Sequence, residues 1–461
     1  MFKNISSVLK TGPYRSFSKF WAFLLACMAF NFIWPFESYL SMWLTNVAKF
    51  DPASIGLAFS SMAFIGMVLE PLVGYLADHV MLKKYLLYGV AAISIMAGPF
   101  IYFVIMPLSH AGFNHQIVAL SLGMYLGICC NVGLAIFNQY LRRASYVNRF
   151  DFGWALSGLS LVTIFGPLLA GALLNKFPTY FVFTISLTGV IFLLLVLSFK
   201  FDKSNMAVIY DEGNPKKKVS IREVSHTLKS KKFIGLVVFV MTCVSTNNIV
   251  GQQLGVYVGK FFSNPAQATG TFTLINVLAG IVCLFCMWLF PPFIRKISPR
   301  SSLLIYSALM AIYLFILAIA KNWIFVLIGN VVFFTLGGPF WNIACTTYVF
   351  QLFKKNEYAT IQTLATYVAS EFGQLIFASV AGFGYTKFGF RPTYFMLGIV
   401  ILFSLVWGFF MLEKGESEEE WTKRTVKEKA DNSESSDVES ASLTSDDPEA
   451  DSNEDAAKGD A

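Results

Sequence analysis

Glu70-Pro71-Leu72-Val73-Gly74-Tyr75-Leu76-Ala77-Asp78-His79-Val80-Met81-Leu82-Lys83-Lys84 joins two long apolar runs. Its helical spacing puts Glu70, Gly74 and Asp78 on one face, one turn apart. Gly74 lets a second helix come close. Asp78 accepts from a helix end or a basic partner, and Lys83 and Lys84 suit the headgroup layer of a bilayer. A polar strip of this kind, pinned between two membrane-length runs, reads as a short gating loop at a membrane surface.

The rest of the chain agrees with that placement. Of 461 residues, 56% are apolar and 14% charged, with 47 Phe. Soluble domains carry about 25% charged residues, so the composition excludes soluble, secreted and nucleic-acid-binding classes. A hydrocarbon core about 30 Å thick needs about 20 apolar residues per helix, and twelve runs meet that length. The expected fold is an all-α membrane protein with twelve transmembrane helices in two pseudo-symmetric six-helix bundles.

Charge supplies the topology. From Glu413 onward there are 17 acids and 6 bases, against 11 acids and 29 bases before it. Of those 29 bases, 23 lie before the first run, at its very start (Lys19) or in the loops after even-numbered runs. The opposite loops hold only Lys49, Lys176, Lys260, Lys321, Lys387 and Arg391. By the positive-inside rule both termini are expected in the cytoplasm. The expected divisions are a cytoplasmic N-terminus (1–17), a first bundle (18–199), a basic cytoplasmic linker (200–232), a second bundle (233–412) and a disordered acidic tail (413–461).

The seven cysteines sit inside apolar runs without His or carboxylate partners at ligand spacing. They read as packing residues, and neither a metal site nor a cofactor is expected. No catalytic set or phosphate-cradling glycine loop is evident, so an enzyme is not expected. A membrane enzyme or transport-dead sensor is the minor alternative, and a sensor would need an ordered output domain that the tail does not resemble.

The loop Gly74 to Lys84 resembles the signature loop of the major facilitator superfamily, where it latches one of two access states. Lys84-Tyr85-Leu86-Leu87, Met124-Tyr125-Leu126-Gly127-Ile128-Cys129-Cys130-Asn131-Val132-Gly133, Gln252-Gln253, Pro339-Phe340 and Ala359-Thr360-Ile361 are similar to the oligosaccharide:proton symporter branch that includes lactose permease. This resemblance spans nearly the whole body. It implies sugar and protons as small-molecule partners, a monomer in a lipid bilayer, and a plasma membrane, in a bacterium the cytoplasmic membrane.

The departures from that branch fall on its chemistry. By the resemblance, its sugar-binding Glu falls on Asn138, its Arg residues on Leu156 and Tyr313, and its sugar-stacking Trp on Thr163. The Glu of span 8 falls on Gly280, and the His and Glu of span 10 on Phe334 and Gly337. Two interhelical ion pairs are replaced at Asn248 with Ser370 and at Gly251 with Val331. Losing both partners strands no charge in hydrocarbon, which fits a working, divergent relative.

No Lys, Arg or His lies deep in a run, and three acids do: Glu37, Glu70 and Glu371. A carboxylate at bilayer depth is costly unless protonated, paired or hydrated, so these are the proton-coupling candidates. Glu70 serves equally well as a bond to loop ends in a closed state. Glu371 shares a stripe with Thr363, Tyr367 and Gln374.

The substrate-binding candidates are Asn31, Trp34, Glu37, Asn131, Asn138, Asn248, Gln252, Trp341 and Asn342. Each amide both donates and accepts, which suits sugar hydroxyls, and Trp34 beside Glu37 offers a platform for a sugar ring. Taken singly, a Trp is more often packed or interfacial, and an amide more often bonds another helix for about 1 kcal/mol. The expected function is import of a small oligosaccharide, lactose-, sucrose- or raffinose-like, with protons by alternating access. The alternatives are an uncoupled sugar facilitator, or a porter for nucleosides or other neutral polar solutes.

Overall fold

A computed structural model describes residues 33–79, 84–137, 152–198, 227–353 and 361–417, with four isolated positions besides. Its helices are α1 (Ile33–Asn46), α2 (Pro52–His79), α3 (84–110), α4 (His115–Phe137), α5 (Phe152–Lys176) and α6 (Phe183–Ser198) in the first half. The second half holds α7 (Lys231–Gly259), α8 (Pro265–Leu289), α9 (Pro299–Ile319), α10 (Trp323–Leu352), α11 (Thr363–Lys387) and α12 (Phe390–Met411). Nine of them are long and apolar enough to cross a membrane, and the described stretches Leu161–Lys176 and Phe183–Leu197 are shorter apolar helices. With α1 they complete the twelve.

The local causes are legible. In hydrocarbon every backbone group must be bonded within the chain, and long apolar runs meet this as helices. Starts are marked by side-chain caps: Asn114, Ser230, Asn264, Ser298 and Asn322 each accept from a backbone N–H of the first turn. Pro265 and Pro299 occupy first-turn positions where no N–H is missed. Gly389, at φ 85°, turns the chain from α11 into α12.

The packing has an internal two-fold relation. Within the first half α1 packs on α5, α2 on α4 and α3 on α6. In the second half α7 packs on α11, α8 on α10 and α9 on α12. The halves meet through α2 against α11 and α5 against α8, which the same exchange interconverts, and through α1 against α7. This is the inverted and repeated bundle plan of the major facilitator fold.

The halves are sealed at the end carrying the α1–α2 turn, the distal end. A Cβ on Gly56 would stand 2.5 Å from the Ala378 carbonyl oxygen and 2.9 Å from the Gly382 Cα, so α2 and α11 touch backbone to backbone. Around this contact the Ala53 N–H donates to Thr386 Oγ1 (3.0 Å), Gln253 Nε2 to the Pro52 carbonyl (3.2 Å) and the Ser60 hydroxyl to the Leu375 carbonyl. At the other end, residues 413–417 lie against α10: the Glu413 N–H donates to the Tyr348 hydroxyl and the Glu416 N–H to Gln351 Oε1.

Candidate functional site

Below the distal seal, two acid–amide bonds join the halves. Gln252 on α7 donates its Nε2 to Glu37 Oε1 on α1 at 3.1 Å. Asn131 on α4 donates its Nδ2 to Glu371 Oε2 on α11 at 3.3 Å, and to the Met62 carbonyl on α2 at 3.5 Å. Each bond links a carboxylate of one half to a neutral amide of the other. The sequence names all four residues, and the structure pairs them.

Helix geometry explains how Asn131 gets there. Residues Gly127–Val132 form a π-helical turn in α4, which widens the helix and re-aims side chains, as such turns often do at functional positions. Gly66 on α2 clears the space: a Cβ there would stand 2.8 Å from Asn131 Nδ2. In α11 the π-helical turn Thr363–Val368 ends just before Glu371, and in α7 the turn Val240–Val244 precedes Ser245 and Asn248. Further π-helical turns sit in α3 at Ile101–Ile105 and in α10 at Gly329–Phe334.

Two of the three acids, Glu37 and Glu371, each accept from an amide of the opposite half. Glu70 is half-buried in the half of α2 farther from the seal.

The remaining candidates divide. Asn248 donates to Ser370 Oγ at 3.5 Å, and Ser245 to the Ser370 carbonyl at 2.8 Å, so α7 and α11 keep a neutral contact at the position of one of the branch's ion pairs. Gln374 is buried on α11 and Tyr367 exposed. Asn342 bonds its own helix, donating to the Gly338 carbonyl. Trp341 is half-buried with its ring 5.7 Å from that of Tyr306. Asn31, Asn138 and Lys83 lie outside the described residues. Trp34, Gly74, Asp78 and Lys84 are described only as helical backbone.

Of the positions onto which the resemblance carries the branch's sugar and proton residues, Gly280, Tyr313, Phe334 and Gly337 are described as packed against neighbouring helices. A Cβ on Gly280 would stand 2.7 Å from the Thr163 carbonyl oxygen, so α5 and α8 close together where the branch places Trp and Glu. Tyr313 is buried with its ring 5.6 Å from that of Phe334, and Gly337 is covered by Tyr306 and Met310. The Tyr39 hydroxyl, which donates to Thr273 Oγ1 at 2.8 Å, adds a further α1–α8 link that sequence reasoning did not single out. An aromatic hydroxyl in an apolar run was its only signal. Among the described residues no group of three or more His, Cys, Asp or Glu side chains could hold a metal.

A twelve-helix carrier with a two-fold related seal and a polar cleft between its halves is a membrane transporter of the major facilitator class. The chain belongs to the LacY proton/sugar symporter family, whose profile matches residues 11–425. It is 26% identical over 392 residues to a raffinose permease of Escherichia coli, covering 83% of this chain and 90% of that one. A lactose permease of Klebsiella oxytoca is 24% identical over 386 residues (81% and 90%), and a sucrose permease of Escherichia coli 25% identical over 380 residues (82% and 89%). Among solved structures, the nucleoside transporter NupG superposes with a TM-score of 0.66 at 15% identity, covering 85% of this chain and 98% of that one. That likeness shows the fold.

Proposed function

We propose that this protein imports a small oligosaccharide together with protons by alternating access, with both termini in the cytoplasm and the distal seal facing outward. The observation that carries the reading is the pair of acid–amide bonds joining the halves, Glu37 with Gln252 and Asn131 with Glu371. Opening the seal must break both. The amides and carboxylates so released are the donors and acceptors that sugar hydroxyls require, and the released acids are free to exchange protons with outside water.

The cycle then has a physical order. With the cleft open outward, sugar hydroxyls take the place of the broken cross-half bonds, and a protonated acid avoids an uncompensated charge when the cleft closes. Rocking of the halves exposes the site to the cytoplasm, where sugar and proton leave. A proton falling through 100 mV supplies about 2.3 kcal/mol, and at about 1.4 kcal/mol per tenfold gradient that supports sugar accumulation of roughly fortyfold.

The test uses purified full-length protein in liposomes loaded with a pH-sensitive dye. Raffinose, lactose, sucrose, melibiose and a set of nucleosides are added singly without an imposed gradient. Proton entry that follows one sugar establishes symport and identifies the substrate. Solute entry without proton movement, or a response only to nucleosides, overturns the reading.

A further inference from the structure

The Glu37–Gln252 contact is half complete. Gln252 is 7% exposed, its Nε2 donates to Glu37 Oε1, and its Oε1 is buried with no hydrogen-bond partner. A buried amide oxygen left unbonded is costly, and a carboxylate, which only accepts, cannot serve it. Protonation supplies the missing donor: the O–H on Glu37 Oε2 points to Gln252 Oε1 while Gln252 Nε2 still donates to Glu37 Oε1. A carboxylic acid and a primary amide then form a closed ring of two hydrogen bonds.

We propose that Glu37 carries a proton in the outward-sealed state, shared in a cyclic acid–amide pair with Gln252 that clasps the two halves. Gln252 is the positioning residue, and Glu37 holds the transported proton. This deepens the proton-coupled reading above and rests on it. The proton arrives from outside water when the cleft is open, forms the O–H bond of Glu37, and leaves to cytoplasmic water when that bond breaks. No oxidant or reductant is involved.

The surroundings favour the neutral form. Along the described lengths of α5, α6 and α7, which pack on α1, charged residues are confined to helix ends at Lys176, Lys231 and Lys232. On α2, which also packs on α1, Glu70 is a further acid and no described side chain is a cation. No described cation compensates a charged Glu37. The Glu371–Asn131 bond differs, because Asn131 Nδ2 also reaches the Met62 carbonyl and the amide is not committed to the acid alone.

Infrared difference spectroscopy of the full chain in liposomes, titrated from acid to alkaline pH, reads the proton directly. Expected is the carbonyl stretch of a protonated carboxyl that vanishes in Glu37→Gln, persists in Glu371→Gln, and shifts in frequency in Gln252→Leu. Glu37→Gln preserves folding, since an amide–amide pair closes the same ring. Its sugar-driven proton uptake should fall by at least about tenfold. A band that survives Glu37→Gln, or that does not move in Gln252→Leu, overturns the pair. Wild-type sugar uptake without proton movement overturns the coupling reading instead, with the pair still decided by the spectra.

Discussion

Asn131 and Glu371, on helices from opposite halves of the molecule, share one hydrogen bond of 3.3 Å. The amide is brought there by a π-helical turn and by the missing side chain of Gly66. Polar side-chain bonds between membrane helices average about 0.6 kcal/mol and reach about 1.7. A double-mutant cycle on Asn131→Ala and Glu371→Ala, read from thermal unfolding in detergent, is expected to give a coupling of about 0.5–1.7 kcal/mol. Additive effects would show that the contact contributes nothing to joining the halves.

The backbone contact of Gly56 with Ala378 and Gly382 leaves no room for a side chain. Backbone atoms cannot step aside, so Gly56→Val forces α2 and α11 apart, at a cost of about 1–3 kcal/mol. The variant should be held open at the distal end. A cysteine placed at Ser60, whose hydroxyl now bonds the Leu375 carbonyl, should react with an impermeant thiol reagent at least about tenfold faster in the Gly56→Val background, with uptake reduced by a similar factor. Unchanged labelling would mean the seal lies elsewhere.

Much of this arrangement is visible in the sequence. Twelve apolar runs, the basic loops and the Gly74 to Lys84 strip lead to the two-bundle fold. The scarcity of charge in the runs isolates Glu37, Glu70 and Glu371. What the sequence does not carry is pairing. Asn131 and Asn342 look alike as lone amides in apolar helices, yet one crosses the cleft to Glu371 and the other bonds the Gly338 carbonyl of its own helix. Neutral amides leave no charge complementarity to read, and π-helical turns have no signature in hydrophobic periodicity. Gly56 and Gly382 carry no mark that they meet.

Asn248 and Ser370 keep a neutral contact at 3.5 Å, at the positions onto which the resemblance carries an acid and a lysine. Reinstating one charge alone leaves it uncompensated at membrane depth, which costs about 2.5–3.5 kcal/mol on insertion scales. Asn248→Asp and Ser370→Lys should each lower the thermal unfolding midpoint and the yield of folded protein. The double variant should recover most of the loss, because the helices are already at bonding distance. A double variant no better than the worse single one would show that the two side chains face different surroundings.

Thr163 and Gly280 lie at the positions of the branch's sugar-stacking Trp and of one of its Glu residues, and here α5 and α8 are in contact between them. On sequence grounds, restoring the aromatic residue with Thr163→Trp would be expected to improve sugar binding. The structure leaves room for it, because Thr163 is exposed and only its backbone carbonyl lies against Gly280. Apparent affinity for sugar should therefore rise in Thr163→Trp, whereas Gly280→Ala, whose methyl group would sit 2.7 Å from the Thr163 carbonyl oxygen, should lower uptake because it forces α5 and α8 apart. A Thr163→Trp variant with unchanged affinity would show that the ligand does not reach α5, and would confine the site to α1, α4, α7 and α11.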